Sequence, residues 1–444
     1  MFFQNKAKTE DWLMEQLGSS SDIICRNIKS ANQKATIIYI NSLCDEVNLH
    51  KEVLKPFYEA SPQEFTNYIK SLPNAKTVKQ KEDILTAILQ GGAAISLNGE
   101  MLIVEFEKVV NNNVGEATVE TVIQGPQNAL TEDITTNLNQ IRHRYPQASL
   151  RIKSKKIGRQ SQTKTMILYD EKLASPDLIE GIEKSLANVD IAVLSAAGQL
   201  HKQLTTQKRT LFPTMMITER PDRIAYNLAE GKAVIVIDGT PFVLITPSVF
   251  YDFMSSMEDV YQSFWISRFI VLLRYMGLAI SLLLPAFYIG VTAYNPEFFR
   301  VQLALGIAGS RAGVPYPAFL EVLFMLLMME LLTEASVRLP KSIGSTATTV
   351  GGLILGQAAV EAGLVSNVMI IIVAAVAISN FVIPINAMSF AMRVAKYILL
   401  ILTIFFGMVG LVMGVIGLVA YLANLSSSGQ PYLKLFFIRS KDSK

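Results

Sequence analysis

The chain has 444 residues, half of them hydrophobic, and a net charge of only +3. This length exceeds what one hydrophobic core usually serves, so at least two domains are expected. The low net charge, with no basic run interleaved with aromatic residues, gives no reason to expect a nucleic-acid partner. Charged residues are concentrated before position 264 and long apolar runs follow it. The sequence therefore predicts a soluble N-terminal region joined to a membrane domain.

No familiar arrangement of reactive residues appears in either half. Cys25 and Cys44 lack metal-ligand spacing and are expected to be ordinary thiols in a reducing compartment. His50, His143 and His201 are scattered, as surface or hydrogen-bonded histidines usually are. Because no GxGxxG, Walker A, HExxH or GxSxG sequence occurs, we expect no catalytic residue, metal or cofactor, and no enzyme. The N-terminus lacks the apolar core of a signal peptide, which predicts a cytoplasmic N-terminal region.

The N-terminal region alternates strand-like and helix-like segments, which is typical of an α/β fold. Two stretches predict β-hairpins, one around Asn98-Gly99 and one around Asp238-Gly239. Aligned without gaps, they are offset by 140 residues, and Gly91 then matches Gly231. We interpret this as an internal duplication that gives two related α/β subdomains, residues 1–145 and 146–262. The alternative is coincidence, because any hairpin needs a turn glycine and apolar strands.

A charged segment, TERPD at 218–222, precedes the second hairpin. Pro221 suits the first turn of a helix, and Asp222 suits its positive end. Glu219, Arg220 and Asp222 would then form a local charge network. This segment could serve only to start a helix, or it could contact another subunit or the other subdomain.

The membrane domain is predicted to span residues 263–425, followed by a basic tail at 426–444. Apolar length predicts membrane spans at about 275–293, 314–333, 364–385 and 397–425. Pro285 is expected to kink the first span. The segment 345–363 is too polar for lipid and is predicted to be re-entrant or buried. The basic residues of the tail favour four crossings over five.

The second span carries carboxylates. Glu330 and Glu334, with Arg338, recur every four residues and share a helix face. A charge near mid-membrane costs at least ~2.5–3.5 kcal/mol, so Glu330 should face protein or water. These groups could simply pair at the interface, as Glu321 could at the opposite end. Alternatively, they line a polar path or bind a companion subunit.

Two glycine pairs predict close helix packing: Gly352 with Gly356, and Gly410 with Gly414. The first pair lies beside Gln357 and Glu361, which are further candidates for a pore segment.

Three motifs, RAGVPYP (311–317), RLPKSIG (338–344) and GQAAVEAGLVS (356–366), make the chain recognisable. Together with TERPD and DGTPF (238–242), they resemble the A subunit of the GerA-type spore germination receptors. The family usually has an arginine where this chain has Gln124, so no role of that arginine transfers. The resemblance implies a permease-like B subunit and a lipoprotein C subunit as partners, and residence in the inner membrane of the bacterial endospore. It also implies a homo-oligomer in membrane lipid that forms a ligand-gated ion channel.

The favoured hypothesis is therefore a membrane subunit of a nutrient-responsive germination receptor that triggers cation release. The alternatives are a secondary transporter of a small solute or ion, and a structural subunit that anchors a receptor cluster.

Overall fold

The computed structural model describes residues 2–30, 33–78, 80–97, 100–108, 114–205, 210–339 and 341–434. They divide into two compact units. The α/β unit comprises Met1–Lys208, Thr214–Ser248 and Ser427–Gly429. The helical unit comprises Arg209–Pro213, Val249–Ser426 and Gln430–Lys444.

The first half of the α/β unit is a five-stranded antiparallel sheet with strand order β1-β2-β4-β5-β3. A π-helical turn, His50–Leu54, joins two of its short helices, and Pro56 lies in the first turn of the second. The elements are α1 Phe2–Leu17, β1 Ile23–Ser30, β2 Gln33–Ile40, α2 Glu46–Leu49, α3 Lys55–Glu59, α4 Pro62–Ser71, β3 Ala75–Thr77, α5 Lys81–Leu89, β4 Gly92–Leu97 and β5 Glu100–Glu105.

The second half repeats this plan, with strand order β6-β7-β9-β10-β8. Its elements are α6 Ile134–Arg144, β6 Leu150–Ile157, β7 Thr163–Asp170, α7 Pro176–Ala187, α8 Ala197–Leu204, β8 Met216–Thr218, α9 Pro221–Ala229, β9 Ala233–Ile237 and β10 Val243–Thr246. Each half begins with a helix, pairs two strands, inserts helices, and ends with a short strand, a helix and a hairpin. The two α/β subdomains predicted from the sequence are confirmed.

The matched glycines occupy equivalent positions in the two halves. Gly91 follows α5 with φ +94°, and Gly231 follows α9 with φ +80°, a region that suits glycine. A Cβ at Gly91 would lie 2.9 Å from the carbonyl oxygen of Leu43, and one at Gly231 would lie 2.5 Å from that of Leu173. The turn Asn98-Gly99 lies outside the described residues, whereas Gly239 has φ +81°.

Each sheet is apolar on both faces because helices cover both. In β2, Ile37 and Tyr39 face the core shared with α2 to α4, whereas Ile38 and Ile40 face the core shared with α1 and α5. The alternation follows from the two-residue period of a strand. Because both faces are covered, the strand is a nearly continuous apolar run.

The helix α6 belongs with the second sheet. It precedes β6 as α1 precedes β1, and it packs against α9. The sequence-based boundary at residue 145 assigns α6 to the first subdomain. The sequence of a helix does not indicate which of two sheets it packs against, so the pattern alone could not place α6. We therefore propose a boundary in the linker before Asp133, the residue that caps α6.

Within its described residues, the helical unit begins with two short α-helices and continues with six longer ones. Two stretches, Phe264–Tyr294 and Asn386–Asn424, are long and apolar enough to cross a membrane by length and composition. The helices are α10 Phe250–Met254, α11 Glu258–Tyr261, α12 Phe264–Ile289, α13 Val301–Ser310, α14 Ala318–Arg338, α15 Lys341–Glu361, α16 Asn367–Phe381 and α17 Asn386–Asn424, followed by the short strands β11 Ser426–Ser427 and β12 Gln430–Pro431.

The helix α17 reverses direction at Gly407, so the predicted span at 397–425 is not one straight helix. Gly407 has φ +62° and ψ −145°. A Cβ at Gly414 would lie 2.6 Å from Leu399 Cδ2. These residues would be ~22 Å apart along a straight helix. The two arms of α17 therefore fold back on each other.

Two other segments differ in detail from the predicted spans. The helix α12 begins at Phe264, before the predicted start of the first span, and continues through Pro285. The segment predicted to be re-entrant or buried lies in α15, a helix that runs without interruption from Lys341 to Glu361. Most of the α15 side chains that can be described, from residue 349 onward, are exposed or half-buried in the single chain. The number of membrane crossings stays a prediction.

Candidate functional site

The most unusual site in the helical unit is a cluster of charges between α14 and α17. Glu330 of α14 forms ion pairs with Arg393 and Lys396 of α17. The Lys396 Nζ lies 3.4 Å from Glu330 Oε1, and the Tyr397 hydroxyl donates to the same oxygen at 3.3 Å. Two cations therefore share one carboxylate, with one positive charge in excess.

The helix spacing explains this convergence. Lys396 and Tyr397 follow Arg393 by three and four residues, so both lie one turn along α17 on the side of Arg393. Lys396 is 0% exposed and Glu330 side-chain exposure is only 18%. A buried charge is tolerated when it is paired and hydrogen-bonded. The cluster thus links α14 to α17, and loss of any one of its three charges would disturb a buried ion pair.

Glu334 does not join this cluster. It lies one turn further along α14, is exposed, and accepts a hydrogen bond from Arg338 at 2.7 Å within the same helix. Such an exposed pair contributes little to stability, about 0.3–0.5 kcal/mol.

The candidates on α15 lie apart from Glu330. Gln357 and Glu361 are exposed in the single chain. A Cβ added at Gly352 would meet no atom within 4 Å, and one at Gly356 would lie 3.7 Å from Ile370 Cδ1. The structure does not bring these four residues together with the Glu330 cluster.

Gly410 and Gly414 lie where the two arms of α17 meet. A Cβ at Gly410 would be 2.2 Å from the Leu402 carbonyl oxygen, closer than atoms can approach. Both glycines therefore allow contact within α17 itself, on the far side of the reversal at Gly407.

A second buried carboxylate, Glu321, is fully satisfied. Its Oε1 accepts hydrogen bonds from the Ser366 amide at 2.6 Å and the Ser366 hydroxyl at 2.5 Å. Arg311 approaches its other oxygen at 3.2 Å. Since Ser366 caps α16, Glu321 joins the start of α14 to the start of α16. It contacts protein groups rather than the lipid headgroups that the sequence allowed for.

The TERPD residues form a buried network in the α/β unit. Arg220 donates two hydrogen bonds to Asp222, at 3.1 and 2.7 Å. Its remaining donors reach the carbonyl oxygens of Glu120 and Pro126, both at 2.9 Å. Glu219 accepts the Val119 amide at 2.5 Å. This charge network therefore holds the linker between the two subdomains against the start of α9.

Sequence reasoning identified Glu330 but missed its partners. Arg393, Lys396 and Tyr397 were not predicted to contact it. The available signal was their spacing on one helix face within an apolar run. Nothing local indicated which carboxylate they would meet, because Glu330 lies 63 residues from Arg393.

The arrangement of the Glu330 cluster suits reversible ion pairing. Among the residues that the structure describes, no group of three or more His, Cys, Asp or Glu side chains is placed to hold a metal ion. The Glu330 cluster could keep two helices together and separate them when the ion pairs open.

Comparison with known proteins gives extensive matches. The family model described as "Bacillus/Clostridium GerA spore germination protein" matches residues 11–444. Spore germination protein KA of Bacillus subtilis (strain 168) is 35% identical over 94% of this chain and 79% of its own length. Spore germination protein GerLA of Bacillus cereus is 32% identical over 95% of this chain and 88% of its own.

Two further matches are to a membrane protein and to a solved domain structure. The uncharacterized membrane protein YfkQ of Bacillus subtilis (strain 168) is 32% identical over 93% of this chain and 82% of its own length. The crystal structure of the N-terminal domain of the A subunit of the Bacillus megaterium spore germinant receptor GerK3 aligns with a TM-score of 0.43 and 28% identity, covering 54% of this chain and 94% of that one. With a family model matched over nearly its whole length, and with relatives above 30% identity, this chain belongs to the GerA spore germination protein family.

Proposed function

We propose that this chain is the A-type subunit of a nutrient-responsive spore germination receptor in the inner membrane of the endospore. The family match over residues 11–444 is the observation that carries this proposal. The apolar helices of the helical unit support a membrane location, and the relatives are named as spore germination proteins. A permease-like B subunit and a lipoprotein C subunit are the proposed partners.

We further propose that several copies assemble into a ligand-gated cation channel. Gln357 and Glu361 lie about one turn apart on α15 and are exposed in the single chain, so the face that carries them is available to a second copy. Gly352 lies on another face of α15, where a small residue permits close helix contact. The polar path would then run near Glu330, once the carboxylate is released from its cations.

The Glu330 cluster supports a gating role because it is paired rather than open. A carboxylate bound by Arg393 and Lys396 cannot coordinate a passing cation. Opening of these ion pairs would both free the carboxylate and loosen the contact between α14 and α17. Nutrient binding elsewhere in the receptor would bias this equilibrium only if it favours the open arrangement.

The test replaces Glu330 by Gln in the full chain and measures nutrient-triggered cation release from spores. We expect a reduction of about tenfold or more, because Gln has no charge with which to attract a passing cation and leaves Arg393 and Lys396 unneutralised beside the proposed path. Glu334→Gln is the matched control, since Glu334 lies on the same helix but is exposed, and it should leave release unchanged. Unchanged release by Glu330→Gln at a normal protein level would contradict the proposed role of this residue.

Purified protein in liposomes distinguishes the function classes. A passive cation leak supports a channel, whereas concentrative, substrate-specific uptake would indicate a transporter. Neither activity would indicate a subunit that only anchors the receptor cluster.

A further inference from the structure

The hairpin formed by β11 and β12 has a tip that is built into the α/β unit. The Ser427 side chain is 0% exposed. Its hydroxyl donates to the Thr214 carbonyl oxygen at 2.5 Å and accepts the Ser248 amide at 2.9 Å. The next hydroxyl, that of Ser428, lies 2.6 Å from the Thr246 hydroxyl.

The groups that receive this tip lie at one end of the second sheet. Thr246 ends β10, Ser248 follows it, and Thr214 precedes β8. The Ser248 hydroxyl is itself fixed, because it accepts the Met216 amide at 3.2 Å and donates to the Ile245 carbonyl at 2.9 Å. These backbone groups are buried and need partners. Residues 427–429 therefore complete the hydrogen bonding of this sheet end rather than rest loosely on it.

We propose that the hairpin tip is a permanent part of the α/β unit, so that the chain between Ser248 and Ser427 leaves from and returns to one side of the membrane. The number of crossings in this stretch is then even. Four or six crossings satisfy the condition and five do not. This inference concerns topology, and it stands whether or not the chain conducts cations.

The helices of the helical unit allow an even number. Within the described residues of this unit, α12 and the two arms of α17 lie in the two stretches that are long and apolar enough to cross by length and composition, and α14, α15 and α16 are three further helices of 15 residues or more. Six crossings result if all of these segments cross. The helix α16 has 15 residues and rises ~22 Å, less than the ~30 Å of a hydrocarbon core. If α16 and one other helix stop short of crossing, the number falls to four, which is again even.

Thiol labelling of the full chain tests the topology. Cys25 is exposed and reports on the α/β unit, whereas Cys44 is buried and should not react. Burial and the neighbouring acids Asp45 and Glu46 raise the pKa of Cys44 to about 12, which further suppresses its thiolate. A second chain carries Cys25→Ser and Ser443→Cys and reports on the C-terminal tail.

Both chains are treated with a membrane-impermeant maleimide in intact protoplasts and again after permeabilisation. We expect Cys25 and the cysteine introduced at position 443 to label under the same condition. Labelling of one in intact protoplasts and the other only after permeabilisation would overturn the inference, since it requires an odd number of crossings.

A pair of adjacent serines tests the docking of the tip. Ser427→Val removes the hydroxyl and leaves the Thr214 carbonyl and the Ser248 amide without their partner. We expect the α/β unit in isolated membranes to be cleaved by protease about tenfold faster in this variant. Ser426→Val is the control, because Ser426 is exposed, and should cleave at the original rate. Equal cleavage rates for the two variants would contradict docking of the tip.

Discussion

The two halves of the α/β unit share a backbone plan but differ at the start of one helix. In the first half, α5 begins after Gln80, and the residues that follow are exposed or half-buried. In the second half, α9 begins after Arg220, and Pro221, Asp222 and Arg223 are all buried. The two positions are equivalent, since each helix leads to the matched glycine and hairpin.

The difference arises from what covers each helix start. The linker that joins the subdomains passes over α9, where it supplies carbonyl and amide groups to Arg220 and Glu219. Its Glu120 side chain also pairs with Arg223 at 2.9 Å. Charged side chains can be buried there because each finds partners. The two halves therefore share a fold, whereas the buried charge network at the helix start lies in the second half.

The largest expected effect comes from removing the central cation. Arg220 is 1% exposed and donates four hydrogen bonds, so Arg220→Ala removes the cation paired with buried Asp222 and the donors to two linker carbonyls. We expect the free energy of unfolding to fall by about 3–5 kcal/mol. Chemical denaturation of the purified full chain measures this loss.

Gln80→Ala is the matched control at the equivalent position of the first half. It should change stability by no more than about 0.5 kcal/mol, as an exposed substitution does. A loss of similar size in both variants would show that the two helix starts do not differ energetically.

The matched glycines, unlike the two helix starts, should respond to substitution in the same way in both halves. Gly91→Ala and Gly231→Ala each force a side chain into positive φ and toward a carbonyl oxygen. We expect each to cost about 1–3 kcal/mol, with the larger loss at Gly231, where the oxygen is closer. Thermal unfolding compares them with Gly115→Ala, which has open space around it and should be nearly neutral.

The smallest effect concerns the cap of α6. Asp133 accepts hydrogen bonds from the amides and hydroxyls of Thr135 and Thr136. Burial alone would raise the pKa of the Asp133 carboxyl, but these hydrogen bonds together lower it. Asp133→Ala should cost about 1 kcal/mol at neutral pH.

The pH dependence of this cap has a definite sign. Because the folded-state pKa of Asp133 is depressed, its contribution is present above the unfolded value near 3.8 and is lost as pH falls through the folded value. The difference in unfolding free energy between the original chain and Asp133→Ala should therefore shrink below pH ~4. A difference that stays constant down to pH 2 would rule out the charged cap.

Much of the α/β fold was predictable because its signals are local. The hairpin around Asp238-Gly239 follows from a short-range pattern, and the 140-residue offset between Gly91 and Gly231 follows from matching two such patterns. The boundary between the subdomains was harder to predict, since α6 covers a sheet whose first strand begins only after that helix. A helix pattern shows which face is apolar but not which sheet receives it.

The membrane half shows the same contrast. Apolar length marked the helices, and the intramembrane position marked Glu330 as a residue in need of a partner. The reversal at Gly407 was not predicted, because a glycine within an apolar run is compatible with both a straight and a folded helix.

The sequence by itself determined the family, the duplicated α/β plan and the division into polar and apolar halves, because periodicity, turn chemistry and motif spacing lie within short stretches. Only the tertiary structure decided that Glu330 pairs with Arg393 and Lys396 and that Arg220 holds the linker. It also decided that Ser427 contacts Thr214, which lies 213 residues earlier in the chain. These pairings depend on which surfaces fold against each other, and the sequence around a carboxylate or hydroxyl does not indicate its distant partner.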